Sequence, residues 1–208
     1  PAPERPYIPA LLQLNWRHNW DFSGGMITDF GAHHLDIVQW ALGMDESGPV
    51  EFFDLHAEWP APGSLYTTAP KFDFAYRYAD GTTVRVKDKQ DFGAGIAFEG
   101  ELGTIISARG KLDIKPAELR KPLAEGDVRL FESKDHFRNF IDGIQTGAKT
   151  AAPIEYAHRS ITIAHLANIA LRLHREKLRW DPAKEQILDD PEANAMLTRP
   201  MRGPWQLV

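Results

Sequence analysis

Hydrophobic and polar positions change their period twice along the chain. From about Met26 to Leu42 apolar residues recur at the three- and four-residue spacing of a helix, and Gly43 is a natural stop. One stripe of this predicted helix comprises Ile27, Phe30, His34, Ile37 and Ala41. A second comprises Asp29, His33, Asp36 and Trp40.

Residues 49–115 alternate instead, which predicts strands. Two alternating runs meet at Asp80-Gly81, a strong hairpin signal. Residues 50–59, 95–99 and 104–108 predict further strands of the same sheet. Because no helix-length segment separates these strands, we expect an open, largely antiparallel sheet with helices on one face.

The final third returns to a helical period. One predicted helix is capped by Ser133 or a neighbour and ends at glycines 143–147, and its apolar face comprises Phe137, Phe140, Ile141 and Ile144. A longer helix is predicted from about residue 154 to 176, followed by a turn and a short helix near 191–197. The pattern predicts an α+β fold without a Rossmann domain. Residues 1–22 would be a connector and pocket loop, and residues 23–208 a single α+β domain.

Composition excludes several classes of function. The 208 residues carry a net charge of −5 with no basic face, so we expect no nucleic-acid partner. No apolar run approaches the roughly 20 residues that cross a bilayer, and no signal-peptide core opens the chain. Because the chain starts with Pro1, we expect a fragment, which leaves a cytoplasmic or an exported, periplasmic location open.

Nothing in the chain matches a complete dinucleotide-binding motif. The nearest segment runs from Gly93 to Phe98, where Phe98 replaces the third glycine, and it lies among strands rather than before a helix. We therefore expect the chain alone to hold no nucleotide cofactor. The absence of cysteine also excludes disulfides and thiolate metal sites.

Candidate chemistry concentrates between Gly24 and Asp36. Asp29, His33 and Asp36 share one helix face, and a carboxylate one turn from an imidazole can orient the ring. The preceding glycines would let the backbone approach a ligand closely. A structural pair, a catalytic pair and a metal site all remain open. Adjacent histidines point apart on a helix, which disfavours the metal site, so we expect none.

Several motifs share the order found in one enzyme family. They are Asn15-Trp16-Arg17, Trp20-Asp21-Phe22, Gly24-Gly25-Met26, Asp29-Phe30-Gly31-Ala32-His33, Phe98-Glu99-Gly100, His158-Arg159-Ser160, Trp180-Asp181-Pro182 and Arg202-Gly203-Pro204-Trp205. With them the chain closely resembles the C-terminal domain of the glucose–fructose oxidoreductase / inositol dehydrogenase / MocA family, in its bacterial branch.

The resemblance implies a two-part enzyme. An N-terminal Rossmann domain, absent from this chain, would bind NAD or NADP, and this domain would supply part of the sugar pocket and an oligomerisation sheet. The family's Asp-x-x-x-His pair beside the nicotinamide maps onto Asp29 and His33. Its catalytic lysine, from a Glu-Lys-Pro motif, belongs to the Rossmann half, and no such tripeptide occurs here.

Further substrate-binding candidates lie outside this helix. They are Arg17, His18 and Trp20 before the glycine pair, and Tyr156, His158 and Arg159 at a predicted helix start. We expect His165 to be a packed histidine. The aromatic series Phe72, Phe74, Tyr76 and Tyr78 is expected to form core beneath the helices.

These observations predict the C-terminal substrate-binding and oligomerisation domain of an NAD(P)-dependent oxidoreductase acting on a sugar, cyclitol or related polyol. The isolated chain would be inactive, and the intact enzyme would be a homo-oligomer through the sheet. Alternatives are a non-catalytic binding or assembly domain, a cofactor-retaining relative that cleaves glycosides, and a metal-dependent hydrolase using Asp29, His33 and Asp36.

Overall fold

The computed structural model describes residues 4–89, 93–201 and 203–204. Residues 1–3, 90–92, 202 and 205–208 lie outside this description, and with them the start of the predicted connector and the motif residues Arg202 and Trp205. The chain forms two compact units. Unit 1 comprises Pro1–Lys89 and His158–Val208, and unit 2 comprises Gln90–Ala157. The predicted single domain over residues 23–208 stays a prediction.

Four helices and eight strands make up the regular structure of the described residues. In chain order they are α1 (Phe30–Leu42), β1 (Glu51–Glu58), β2 (Lys71–Arg77), β3 (Thr83–Lys87), β4 (Ile96–Gly100), β5 (Gly103–Ala108), β6 (Lys111–Lys115), α2 (His136–Thr146), α3 (Ile154–Arg172), β7 (Lys177–Asp181), β8 (Gln186–Leu188) and α4 (Pro191–Ala195). Short 3₁₀ turns cover Pro9–Leu11, Asn15–His18, Gly25–Ile27 and Ala117–Leu119. The predicted α+β class is confirmed.

Unit 1 contains an antiparallel five-stranded sheet in the order β3-β2-β1-β7-β8. The β2–β3 hairpin at Asp80-Gly81 is confirmed, whereas β7 and β8 were not predicted. The aromatic series of residues 72–78 is buried, as expected, and packs with Phe52 and Ile163 in one core. The opposite face of the sheet is charged, since Arg85 pairs with Asp73 at 2.8 Å and Lys177 pairs with Glu51 at 2.8 Å.

Unit 2 contains a second sheet, in which β4, β5 and β6 pair antiparallel. The expectation that these strands extend the first sheet is wrong. Alternation predicts a strand but does not identify its neighbour, and here the short connections favour pairing within the segment. A Cβ on Gly95 would lie 2.7 Å from the carbonyl oxygen of Ser107, so this glycine marks a close approach of β5 rather than a phosphate-binding turn.

The buried face of α1 differs from the predicted stripe. Phe30 and Ile37 are 46% and 38% exposed, whereas Leu35, Val38 and Gln39 are buried. The prediction missed Gln39 because it is polar. Its amide nitrogen donates to the carbonyl oxygens of residues 44 and 47 at 2.9 and 3.0 Å, and its amide oxygen accepts from Tyr78, so this polar group is satisfied in the core.

Helix termini follow local rules. Gly43 ends α1 with a φ of 66°, as predicted. The carboxylate of Asp135, two residues after Ser133, caps α2 by accepting a hydrogen bond from the amide of Arg138 at 2.9 Å. Gly147 ends this helix with a φ of 70°.

Candidate functional site

The glycine pair before α1 is packed against the protein's own side chains. A Cβ on Gly24 would lie 2.5 Å from Thr28 and 2.8 Å from the Asn168 amide nitrogen, which donates to the Gly24 carbonyl at 2.9 Å. Gly25 has a φ of 72°, and its Cβ would lie 2.5 Å from the Thr68 hydroxyl. The close approach expected from a ligand is thus made by Thr68 and Asn168. These contacts hold the backbone of the glycine pair in place ahead of α1.

Asp29 immediately precedes the first residue of α1 and pairs with Arg17. Its Oδ2 atom lies 2.8 Å from Nη1 of Arg17, and the two side chains are 27% and 25% exposed. The same Oδ2 atom is buried and accepts no hydrogen bond from the described residues. Arg17, which was predicted to bind substrate, is therefore the electrostatic partner of the Asp29 carboxylate.

His33 lies on the exposed side of the first turn of α1. Its ring meets Phe30 edge-on, with 6.2 Å between ring centroids. Within the described residues Asp29 pairs with Arg17 and not with His33. Orientation of the imidazole by Asp29 stays a prediction.

The segment that precedes the glycines is held by the loop between β1 and β2. The His18 carbonyl accepts hydrogen bonds from the amides of Thr67 and Thr68 at 2.8 and 3.1 Å. The Trp20 amide donates to the hydroxyl of Thr67 at 2.8 Å, and the buried Asn19 donates its side-chain amide to a carbonyl of the same loop. The His18 ring itself packs edge-on against Tyr66.

Unit 1 contains an open cavity of about 690 Å³. Four large aromatic residues line it: Trp16, Trp20, Phe22 and Trp180. Seven other side chains that carry hydrogen-bonding groups also line it: Ser23, Thr28, His158, Thr162, His165, Glu185 and Arg199. Of the predicted substrate-binding residues, the structure brings Trp20 and His158 together here. Arg17, His18, Asp29, His33 and Arg159 are not among the lining residues, although Thr28 directly precedes Asp29.

Glu185 connects two of the predicted residues. Its Oε1 atom lies 2.8 Å from Nε2 of His158 and 3.1 Å from Nη1 of Arg159. Arg159 also donates to the carbonyl oxygen of Pro182 at 2.7 Å. Among the described residues that line the cavity, Glu185 is the one carboxylate, and it is already paired with the Arg159 guanidinium. Glu185 has a φ of 52°, a left-handed conformation at the turn between β7 and β8.

Tyr156 belongs to unit 2. Its hydroxyl accepts a hydrogen bond from Lys149, whose ammonium lies 4.7 Å from the centre of the ring. Its predicted part in substrate binding stays a prediction.

Most of the residues that line the cavity were not predicted as site residues, among them Trp16, His165, Trp180, Glu185 and Arg199. A helical spacing could have indicated one of them, because positions 158, 162, 165 and 169 lie along one face of α3 and all line the cavity. His165, expected to be packed, is exposed along this wall. Surrounding protein atoms nevertheless lower the pKa of His165 below its ordinary 6.5 by desolvation, and the charge of Arg199 lowers it further.

Asp36, the third member of the hypothetical metal site, points elsewhere. Its carboxylate accepts a hydrogen bond from Ser160 of α3 at 2.8 Å. No three acidic or histidine side chains of residues 4–89, 93–201 and 203–204 converge as metal ligands. Over the same residues, no helix combines the length and apolarity needed to cross a membrane.

A family model described as "Oxidoreductase family, C-terminal alpha/beta domain" matches residues 1–207. The chain belongs to this family, the glucose–fructose oxidoreductase / inositol dehydrogenase / MocA oxidoreductases. The match confirms the resemblance seen in the motifs. No curated protein matches the chain.

Solved structures of this oxidoreductase type share the fold. The WlbA dehydrogenase from Bordetella pertussis, in complex with NADH and UDP-GlcNAcA, is 15% identical with a TM-score of 0.57, over 80% of this chain and 48% of that one. An aldose-aldose oxidoreductase from Caulobacter crescentus, complexed with glycerol, is 14% identical with a TM-score of 0.51, over 83% and 52%. An oxidoreductase from Thermotoga maritima is 14% identical with a TM-score of 0.53, over 85% and 50%. The chain spans about half the length of these proteins.

Proposed function

We propose that this chain is the substrate-binding domain of an NAD(P)-dependent oxidoreductase that acts on a sugar, cyclitol or related polyol. The aromatic cavity of unit 1 carries this proposal. Flat apolar rings beside hydrogen-bonding groups suit a sugar, which has an apolar face and a rim of hydroxyls. Three tryptophans and a phenylalanine line this cavity together with Thr28, Thr162 and two histidines.

His33 is the proposed proton acceptor. An exposed imidazole at the start of α1 is free of ion pairs within the described residues, so in its neutral form it can take the proton of a substrate hydroxyl. Arg17 lies 2.8 Å from the Asp29 carboxylate and holds it in place, and Asp29 would orient His33 or accept a hydrogen bond from the adjacent substrate hydroxyl. When bound, the nicotinamide supplies the hydride acceptor.

The described residues do not fit the pyrophosphate of the cofactor. The nearest glycine-rich segment leads into β4, and Gly95 is filled by the approach of β5. We therefore assign NAD(P) binding to an N-terminal Rossmann domain outside this chain and expect the isolated chain to be inactive. Calorimetric titration should show no micromolar binding of NAD or NADP to the 208-residue chain. A tight complex would contradict this assignment.

The proposal also includes homo-oligomers formed through the sheet. In unit 1 the sheet face opposite the core carries ion pairs between neighbouring strands. A partner on that face would meet charges, so association should weaken as salt rises. Light scattering of the intact protein at several salt concentrations tests this expectation, and a strict monomer at high protein concentration would contradict it.

The function itself is tested by incubating the intact enzyme with NAD or NADP and a panel of neutral sugars, acidic sugars and cyclitols. We expect nicotinamide reduction with at least one of them. A relative that retains its cofactor and cleaves glycosides would release a free sugar without net reduction. Absence of both binding and turnover across the panel would favour a non-catalytic assembly domain.

A further inference from the structure

Two guanidinium groups share one tryptophan at the edge of the cavity. The Cζ atoms of Arg172 and Arg199 lie 4.3 and 4.7 Å from the centre of the Trp20 ring. Each donates a hydrogen bond to a backbone carbonyl, Arg172 to Thr67 at 2.9 Å and Arg199 to Asp21 at 3.4 Å. In the part of the chain that the structure describes, neither makes an ion pair with a carboxylate.

The nearby carboxylates are engaged with other cations. Asp21 forms an ion pair with Arg5, and Glu185 is held by His158 and Arg159. Burial lowers the pKa of Arg172, repulsion from Arg199 lowers it further, and the opposing attraction of Asp21 is weaker than this repulsion. Within the residues that the structure describes, this end of the cavity therefore has an excess of positive charge that no carboxylate neutralises.

Arg199 lines the cavity, whereas Arg172 is not among the lining residues. An anionic group that entered the cavity could accept two parallel hydrogen bonds from the guanidinium of Arg199. Its charge would also reduce the repulsion between the two arginines. A neutral sugar could stack on the same aromatic rings but would leave this repulsion unchanged.

We propose that the cavity binds an anionic carbohydrate, with its ring against Trp16 and Trp180 and its carboxylate or phosphate paired with Arg199. This inference rests on the proposed function for the identity of the ligand as a sugar. It adds the charge of the substrate and the residue that selects it. Uronates and sugar phosphates share the required chemistry.

The test is calorimetric titration of the intact enzyme with glucuronate, glucose 6-phosphate, glucose and inorganic phosphate. We expect one or both anionic sugars to bind at least about tenfold more tightly than glucose, since a charged hydrogen-bonded pair contributes more than a neutral contact. The comparison of glucuronate with glucose 6-phosphate identifies the preferred anion. Inorganic phosphate should bind far more weakly than the preferred anionic sugar, because it lacks the ring.

Arg199→Gln should lose about 10-fold to 100-fold in affinity for the anionic sugar while its affinity for glucose stays unchanged. Arg199→Lys, which keeps the charge, should retain part of the preference. Arg138→Gln is the matched control, because Arg138 pairs with Asp142 along α2 and does not line the cavity.

Equal affinities for glucose and both anionic sugars would overturn the inference and leave the proposed function standing. An unchanged preference in Arg199→Gln would also overturn it, as would inorganic phosphate binding as tightly as the sugars. Absence of binding by any sugar would overturn the proposed function as well, so the two failures are distinguishable.

Discussion

Unit 1 and unit 2 bury their apolar residues to very different extents. In unit 1 Phe52, Phe74 and Tyr76 are completely buried. Among the described residues of unit 2, Ile96 is the only buried hydrophobic residue, at 8% exposure. The apolar face predicted for α2 is present, yet its members Phe137, Phe140, Ile141 and Ile144 are 42–83% exposed.

The difference teaches what amphipathic spacing means. Amphipathic spacing identifies the secondary structure of a segment, because the spacing matches the number of residues in each turn of a helix. Burial also requires a complementary surface at the right place, and that surface is contributed by other segments. The cavity and the proposed proton acceptor both belong to unit 1, where a packed core can hold side chains in place.

The largest expected effect comes from His33→Ala in the intact enzyme. The chemical step should slow by about 10²–10⁴-fold, the usual contribution of a positioned general base, with cofactor binding unchanged. Tyr156→Phe in unit 2 removes one hydroxyl and should change kcat/KM by less than about tenfold. Single-turnover kinetics of both variants measures the difference.

His34→Ala is the control for the helical phase of α1. His34 is half-buried and His33 is exposed, so replacing His34 should cost stability more than rate. If His34→Ala abolished turnover and His33→Ala retained it, the proposed face of α1 would be wrong.

A pair of phenylalanines compares the two cores directly. Phe74→Ala in unit 1 should lower the free energy of unfolding by about 3–5 kcal/mol, because it empties a fully buried site. Phe137→Ala in unit 2, at 83% exposure, should change it by less than about 0.5 kcal/mol. Urea unfolding monitored by circular dichroism measures both. A large loss in Phe137→Ala would show that this face of α2 is covered in solution.

A pair of glycines separates steric crowding from backbone conformation. Gly25 and Gly147 have φ angles of 72° and 70°, but a Cβ would lie 2.5 Å from Thr68 at Gly25 and meet no atom within 4 Å at Gly147. Gly147→Ala should cost about 1–2 kcal/mol for the left-handed conformation alone. Gly25→Ala should cost about 1–3 kcal/mol more through overpacking. Equal losses in thermal unfolding would mean that Thr68 moves aside freely.

The smallest expected effect is the pH dependence contributed by His165. Its pKa is lowered in the folded state, so the unfolded chain binds the proton more readily. Stability should therefore fall as pH drops below 6.5 towards the folded pKa, and be unaffected by this group above 6.5. Comparison of wild type with His165→Gln by thermal unfolding across this range isolates the contribution. An NMR titration of the ring with a pKa above 6.5 would contradict the assignment.

Local signals in the chain were sufficient for much of this molecule. The Asp80-Gly81 hairpin, the glycine stops of α1 and α2 and the buried aromatic alternation of β2 each depend on residues close in sequence. The order of the motifs along the chain also indicated the oxidoreductase family, because each motif is a short run of neighbouring residues. The predictions of Trp20 and His158 as substrate residues came from segments more than 130 residues apart, and both side chains line one cavity.

Tertiary structure decided which partners each segment meets. It placed Arg17 against Asp29 and separated β4–β6 into a sheet of their own. It also buried Leu35 and Gln39 of α1, whereas Phe30 and Ile37 of the predicted stripe are exposed. It also brought Arg199 over the Trp20 ring across almost the whole length of the chain. A local pattern depends on the geometry of one helix or strand, whereas burial and ion pairing depend on surfaces that become neighbours only when distant segments pack together.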